Sequence, residues 1–195
     1  EQYLDGDIHI HVTISKEHEH LFKSLIEELA ESKKNIHMTY SFQKEKTNTL
    51  AVDMDNEPIQ KEDGSFLYRA GGHGALIENL NDIDADMIFI KNIDNVCHRD
   101  FIEDTITYKK KLAGIGITIK NQIDQMIQDI LDNDFDMTEI SQFIRNQLQI
   151  DYQGEMTKER ALAFLNRPLR VCGVVKNQGE PGGGPFNVDN GDYTD

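Results

Sequence analysis

Between residues 8 and 43 the hydrophobic period changes twice, and that switch constrains the fold more than any other feature. Ile8, Ile10, Val12 and Ile14 alternate with His9, His11 and Thr13, the period of two that marks a strand with two unlike faces. Leu21, Phe22, Leu25, Ile26 and Leu29 then recur at helical spacing behind Ser15, a candidate N-cap, and ahead of Lys33 and Lys34, which suit a helix C-terminus. Ile36, Met38, Tyr40 and Phe42 alternate again. Strand, helix, strand within so short a span predicts a βαβ unit and therefore parallel pairing.

Further along, Leu50 to Met54 is a strand candidate, and Asp55-Asn56-Glu57-Pro58 and Glu62-Asp63-Gly64-Ser65 are turn chemistry ahead of Phe66 to Arg69. Gly71-Gly72-His73-Gly74 opens into a short helix, Ala75 to Leu80. Met87 to Ile93 is almost wholly apolar, as expected of a central strand buried on both faces, and it ends in Asp94-Asn95. From Thr105 the period is helical, with Leu112, Ile115, Ile119, Ile123, Met126 and Ile130 on one long helix that Gly114 and Gly116 either weaken or open to close packing. Asp136 with Glu139 resembles a capping box, Thr157 caps a helix running through Leu165, Pro168 ends it, and Val171 to Val175 returns as a strand. The expected organisation is one incomplete α/β domain over 1–195: a sheet core with the glycine loop at 1–104, a helical section at 105–168, and a return strand with a Gly-rich loop at 169–195. The start at Glu1 without Met and the stop in an acidic, Gly-rich stretch read as a fragment of a larger protein.

Charge and cysteine content narrow the function classes. Twenty Lys and Arg against thirty-five Asp and Glu leave a net charge of −15, which opposes the counterion-releasing contacts on which nucleic-acid binding depends. No apolar run approaches the roughly 18 residues of a membrane helix. Cys97 and Cys172 lack metal-binding or disulfide spacing, so a reducing, cytoplasmic setting is expected and Cys97 reads as a buried structural thiol.

Two places carry chemistry. The glycine loop lies between a strand end and a helix start, where exposed N–H groups and the helix dipole suit an anion, although it is neither GxxxxGK[ST] nor GxGxxG, the third glycine falling at Ile77. Asp94, at the tip of an apolar strand, is either placed to hold Mg²⁺ or part of a solvated Asp-Asn turn, which its spacing alone favours. Gly72-His73-Gly74, the helix with Leu80 and the run Ile90 to Asn95 together resemble the UDP-sugar pyrophosphorylases, in which a Pro-Gly-His-Gly or Gly-Asn-Gly loop precedes a strand ending in Asp-Asn. The wider set, Tyr40-Ser41-Phe42-Gln43, Ala51-Val52-Asp53, Gly71 to Asp82 and Gly179 to Phe186, is similar to an uncharacterised bacterial domain-of-unknown-function family of long proteins.

That resemblance implies a three-layer nucleotide-diphospho-sugar-transferase-like fold, truncated, with a mixed, mainly parallel sheet between helices. It implies sugar-1-phosphate nucleotidyl transfer, a nucleoside triphosphate and a sugar 1-phosphate giving a nucleotide sugar and pyrophosphate, by positioning and charge neutralisation without a protein nucleophile. Gly72 and Gly74 would admit the nucleotide, His73 would donate to it, Gln43 would meet the base edge and Asp94 would hold Mg²⁺. Ala70 or Gly71 stands where the pyrophosphorylases have Pro, and their Gly-Gly-x-x-Thr-Arg-x-Gly triphosphate loop is absent, which leaves a non-catalytic nucleotide-binding module as the alternative. A third expectation is a metal-dependent hydrolase using Asp7, His9 and His11, since imidazoles at i and i+2 on a strand can share one transition metal. Lys109, Lys110 and Lys111 read as a solvated helix face, and Gly179 to Gly184 as a flexible loop or part of a sugar pocket.

Overall fold

The computed structural model describes residues 6–92, 95–179 and 183–195. They are mixed α/β with five α-helices and three sheets of two strands each, and they fall into two compact units that divide between Val96 and Cys97.

In the first unit the alternating runs form β1, Ile8–Ile14, and β2, Ile36–Phe42, joined by α1, Glu19–Ser32. The strands pair in parallel, Ile8 opposite Ile36 and Ile14 opposite Phe42. Even-numbered residues of both strands therefore share one face, with Ile8 and Ile14 buried, and odd-numbered residues line the other. Ser15 is extended as an N-cap should be, but it opens a 3-10 turn, Lys16–His18, ahead of α1 and not the α-helix itself. The Tyr40 hydroxyl donates to Glu19 Oε1 at 2.9 Å, tying the start of α1 to β2.

After β2 a 3-10 turn, Glu45–Thr47, leads to β3, Thr49–Leu50, which pairs antiparallel with β4, Tyr68–Arg69. Between them the chain folds back twice, bridging Val52 to Pro58 and Gln60 to Phe66. Both predicted turns are present. Asn56 takes φ 63°, and the Asp53 carboxylate accepts from the N–H groups of Asp55 and Glu57; Gly64 takes φ 80°, and Asp63 accepts from Ser65. The predicted short helix is a 3-10 turn, His73–Leu76, running into α2, Ile77–Leu80.

The second unit is built on α3, Ile102–Asp132, with α4, Met137–Asn146, β5, Asp151–Tyr152, α5, Lys158–Leu165, and β6, Tyr193–Thr194. Its core joins Ile123 and Ile130 of α3 to Ile140, Phe143 and Ile144 of α4 and to Ala161, Phe164 and Leu165 of α5. The helix limits follow from local chemistry. Asn133 at φ 57° closes α3, the Asp136 carboxylate accepts from the Thr138 N–H at 2.7 Å, and the Thr157 hydroxyl accepts from the Arg160 N–H at 3.2 Å. β5 and β6 pair antiparallel, and Arg160 locks them, donating to the carbonyls of Gln153 and Asp192 and to the Asp192 carboxylate while lying over the rings of Tyr152 and Phe164.

Four expectations are corrected here. Residues 87–92 form no strand; Met87 and Ile90 are 42% and 63% exposed. Val171 to Val175 is no strand either; instead Val171 approaches α3 at Gly116, where a Cβ would stand 3.5 Å from Val171 Cγ2. An apolar run specifies burial, but a strand also needs a ladder of N–H and C=O pairs along a neighbour, and neither run is a strand among the described residues. In place of one mainly parallel sheet between helix layers, the described residues carry one parallel and two antiparallel pairs. Cys97 and Cys172 are both exposed, so Cys97 is not a core thiol.

Candidate functional site

The C-terminal tip of β2 is where the predicted residues converge. Ser41, Phe42 and Gln43 leave the strand side by side, and the glycine turn is fastened to them at both of its ends. At the entrance, the Gln43 amide lies among Thr47, Asn48 and Gly71, and in the orientation that suits Gly71 its Nε2 donates to the Gly71 carbonyl at 3.0 Å and its Oε1 accepts from the Gly71 N–H at 2.9 Å. One side chain thus satisfies both backbone groups of one residue, as a neighbouring strand would. A Cβ on Gly71 would lie 2.8 Å from the Thr47 carbonyl oxygen and 2.8 Å from Ala75 Cβ, so only glycine fits.

At the exit, Asn79 of α2 is 4% exposed and hooks back onto β2. Its Nδ2 donates to the Phe42 carbonyl at 2.7 Å and to Ser41 Oγ at 2.8 Å, while its buried Oδ1 has no hydrogen-bond partner among the described residues. Ser41 Oγ in turn lies 2.9 Å from His11 Nε2, whose Nδ1 lies 2.8 Å from Thr39 Oγ1.

Between these fastenings Gly72, His73 and Gly74 are exposed. The Ala75 N–H donates to the Gly72 carbonyl at 2.9 Å and closes the turn. A Cβ at Gly72 or Gly74 would meet open space, and neither residue has positive φ. Their backbone is open to approach. The His73 ring takes no hydrogen bond among the described residues. Beside the turn, Lys44 reaches Asp82 Oδ2 at 2.6 Å, and Lys46 reaches Glu78 Oε2 at 2.8 Å. The Asp82 hydrogen bond raises the Lys44 pKa against some desolvation, and the Lys46 hydrogen bond holds Glu78 below the ordinary carboxylate range.

The structure thus brings Gln43 to the loop of Gly72, His73 and Gly74, yet uses the Gln43 amide on Gly71. Gln43 is a scaffold for the turn, with its polar edge already engaged. Asp94 lies outside the described residues. His9 stacks on His37 at 5.0 Å, His37 Nε2 lies 3.6 Å from Asp7 Oδ1, and both His11 nitrogens face hydroxyls. Among the described residues no three His, Cys, Asp or Glu converge as a metal would require. The sequence offers Gly71 only as part of the loop and singles out neither Ser41 nor Asn79 as a site residue. The signal that could have found Ser41 is its place on the odd-numbered face opposite Thr13, one face-position beyond the His11 and Thr39 pair. A separate groove of about 920 Å³ lies between α3 and α4, floored by Ile115, Ile119, Met126 and Phe143, and no predicted site residue lines it.

The model of one protein family, described as a Domain of unknown function (DUF4301), matches residues 1–194. The chain belongs to that family. No curated protein and no solved structure matches it. In this DUF4301 chain no helix among the described residues is long and apolar enough to cross a membrane.

Proposed function

We propose that the turn from Gly71 to Gly74 binds a nucleotide, and that the chain is a nucleotidyltransferase-like module acting in sugar-1-phosphate nucleotidyl transfer. One observation carries this reading: a glycine turn with open backbone is fastened at both ends to the C-terminal tip of a parallel strand, where α/β proteins place their ligands. Such a turn is ordered before ligand arrives, so little conformational freedom is left to lose on binding. The exposed Gly72 and Gly74 admit a phosphate or base edge to the main chain, and His73, unengaged, donates to it. The resemblance of these residues to the pyrophosphorylase loop supports the reaction class.

Mg²⁺ belongs to this proposal as a neutraliser of phosphate charge, with Asp94 as its ligand. No group of three His, Cys, Asp or Glu converges among the described residues, and no step is drawn through the metal. The second reading, a nucleotide- or nucleotide-sugar-binding module without catalysis, is favoured by the lysines: Lys44 and Lys46 are paired with Asp82 and Glu78, leaving neither to stabilise a transferring phosphoryl group.

Titration of the full-length protein with UTP, the other triphosphates, UDP-glucose and UDP-N-acetylglucosamine, in Mg²⁺, tests binding. A nucleotide-specific rise in melting temperature that shrinks in His73→Ala supports the site. Release of pyrophosphate with a sugar 1-phosphate then separates the enzyme from the binding module.

A further inference from the structure

We propose that His11 and Ser41 are remote positioning residues: Thr39, His11, Ser41 and Asn79 form a hydrogen-bond relay running from the polar face of the β1–β2 sheet to α2, and it sets the shape of the glycine turn. The proposal goes beyond nucleotide binding, on which only its affinity arm rests.

Each link is fixed by chemistry. The Phe42 carbonyl can only accept, so the Asn79 atom 2.7 Å from it is the NH₂ group, and the same group donates to Ser41 Oγ. Ser41 Oγ therefore receives a proton from one side. His11 lies on its other side at 2.9 Å, with Thr39 at 2.8 Å from the far nitrogen. A neutral imidazole donates through one nitrogen and accepts through the other, so it takes a proton from one hydroxyl and gives one to the other. The Ser41 hydroxyl is thereby held in place, and with it the lone pair that Asn79 needs.

The position of Asn79 gives the relay its consequence. α2 is a four-residue helix, too short to be stable by itself, and it follows directly on the His73–Leu76 turn. With Asn79 nine-tenths buried and drawn onto β2, the exit of the turn has a defined position; Gln43 and Gly71 define the entrance. The unpartnered Oδ1 of Asn79 argues in the same direction. A buried acceptor left without a donor is unfavourable, and it is tolerated here because the amide's other end makes two bonds that hold α2.

Two isosteric variants test the relay. Ser41→Thr keeps the hydroxyl, Ser41→Val has the same shape without it, and both suit a strand. The first readout is hydrogen exchange of the Ala75 amide, which the Gly72 carbonyl protects, in full-length protein without nucleotide. The second is the dissociation constant for UTP in Mg²⁺. Ser41→Val is expected to speed Ala75 exchange and weaken UTP about fivefold, the ratio of one ordinary hydrogen bond, with Ser41→Thr restoring both. His11→Leu is expected to follow Ser41→Val, with His11→Gln in between.

Equal exchange of Ala75 in the Val and Thr variants overturns the relay. Should no nucleotide bind the native protein, the functional reading falls while the exchange arm still decides the relay. Asn79→Ala gives a second check: acceleration at Ala75 with β1 and β2 amides still protected supports positioning, and equal acceleration throughout overturns it.

Discussion

Gly71→Ala and Gly72→Ala are neighbouring substitutions that should act in opposite directions. At Gly71 the new methyl carbon would stand 2.8 Å from the Thr47 carbonyl oxygen and 2.8 Å from Ala75 Cβ, neither of which can swing aside as a side-chain tip could. Comfortable carbon contacts begin near about 3.5 Å, so the turn must move by roughly 0.7 Å on two sides at once. Overpacking of this kind costs about 1–3 kcal/mol. Movement of Gly71 also loosens its two bonds to Gln43. At Gly72, φ is −74° and the methyl meets open space, so alanine restricts the unfolded chain without straining the folded one, a gain of about 0.4–1 kcal/mol. The two variants should therefore differ by about 1.5–4 kcal/mol in local stability. Native-state hydrogen exchange read at the Ala75 amide measures that difference directly, because its bond to the Gly72 carbonyl exists only while the turn is closed. Equal protection in the two variants would refute the steric reasoning.

Three other outcomes follow from the same geometry. Ile144, fully buried between α4 and the second unit's core, should lose about 2–5 kcal/mol on truncation to alanine, whereas Ile115, 50% exposed, should lose far less; urea denaturation compares them. Arg160→Lys should free β6 and raise exchange across residues 187–195, since an ammonium cannot replace a planar fork that meets three carbonyls, a carboxylate and two rings. On pH, the Lys46 hydrogen bond lowers the Glu78 pKa from 4.5, so this group's contribution is complete above that value and is lost as pH falls through the depressed value. Lys44 is the mirror case, raised from 10.5 by Asp82, its contribution complete below that value and lost as pH rises through the elevated one. Glu78→Gln should flatten the acid limb of the stability profile and, because Glu78 also helps Asp82 to raise Lys44, trim the alkaline limb by less; salt should weaken both.

Local signals in this sequence translated into structure where they concerned neighbours in the chain. The period switches gave β1 and β2 within a residue and α1 with its start three residues later than Ser15 implied, and the Asp-Asn and Asp-Gly segments gave turns at Asn56 and Gly64 because short polar side chains bond their own backbone. Asp136 and Thr157 cap helices as their types require. The run from Met87, described as far as Asn92, shows the opposite case. Its apolar pattern fits a buried strand, but pairing depends on which edge is available, and that information lies elsewhere in the chain. The site was half legible for the same reason. Gly72, His73 and Gly74 stand out by type, and Gln43 by the residues around it. Gly71 matters through a carbonyl 24 positions earlier, and Asn79 through a strand tip nearly 40 earlier, contacts that no local pattern announces.

The most direct test of the central claim is the melting temperature of full-length protein titrated with UTP in Mg²⁺, run beside His73→Ala and Gly71→Ala. A nucleotide-binding turn predicts a concentration-dependent rise in the native protein that is reduced in both variants, one lacking the exposed donor and the other the closed turn. A folded native protein whose melting temperature is unmoved by every nucleotide tested would contradict it.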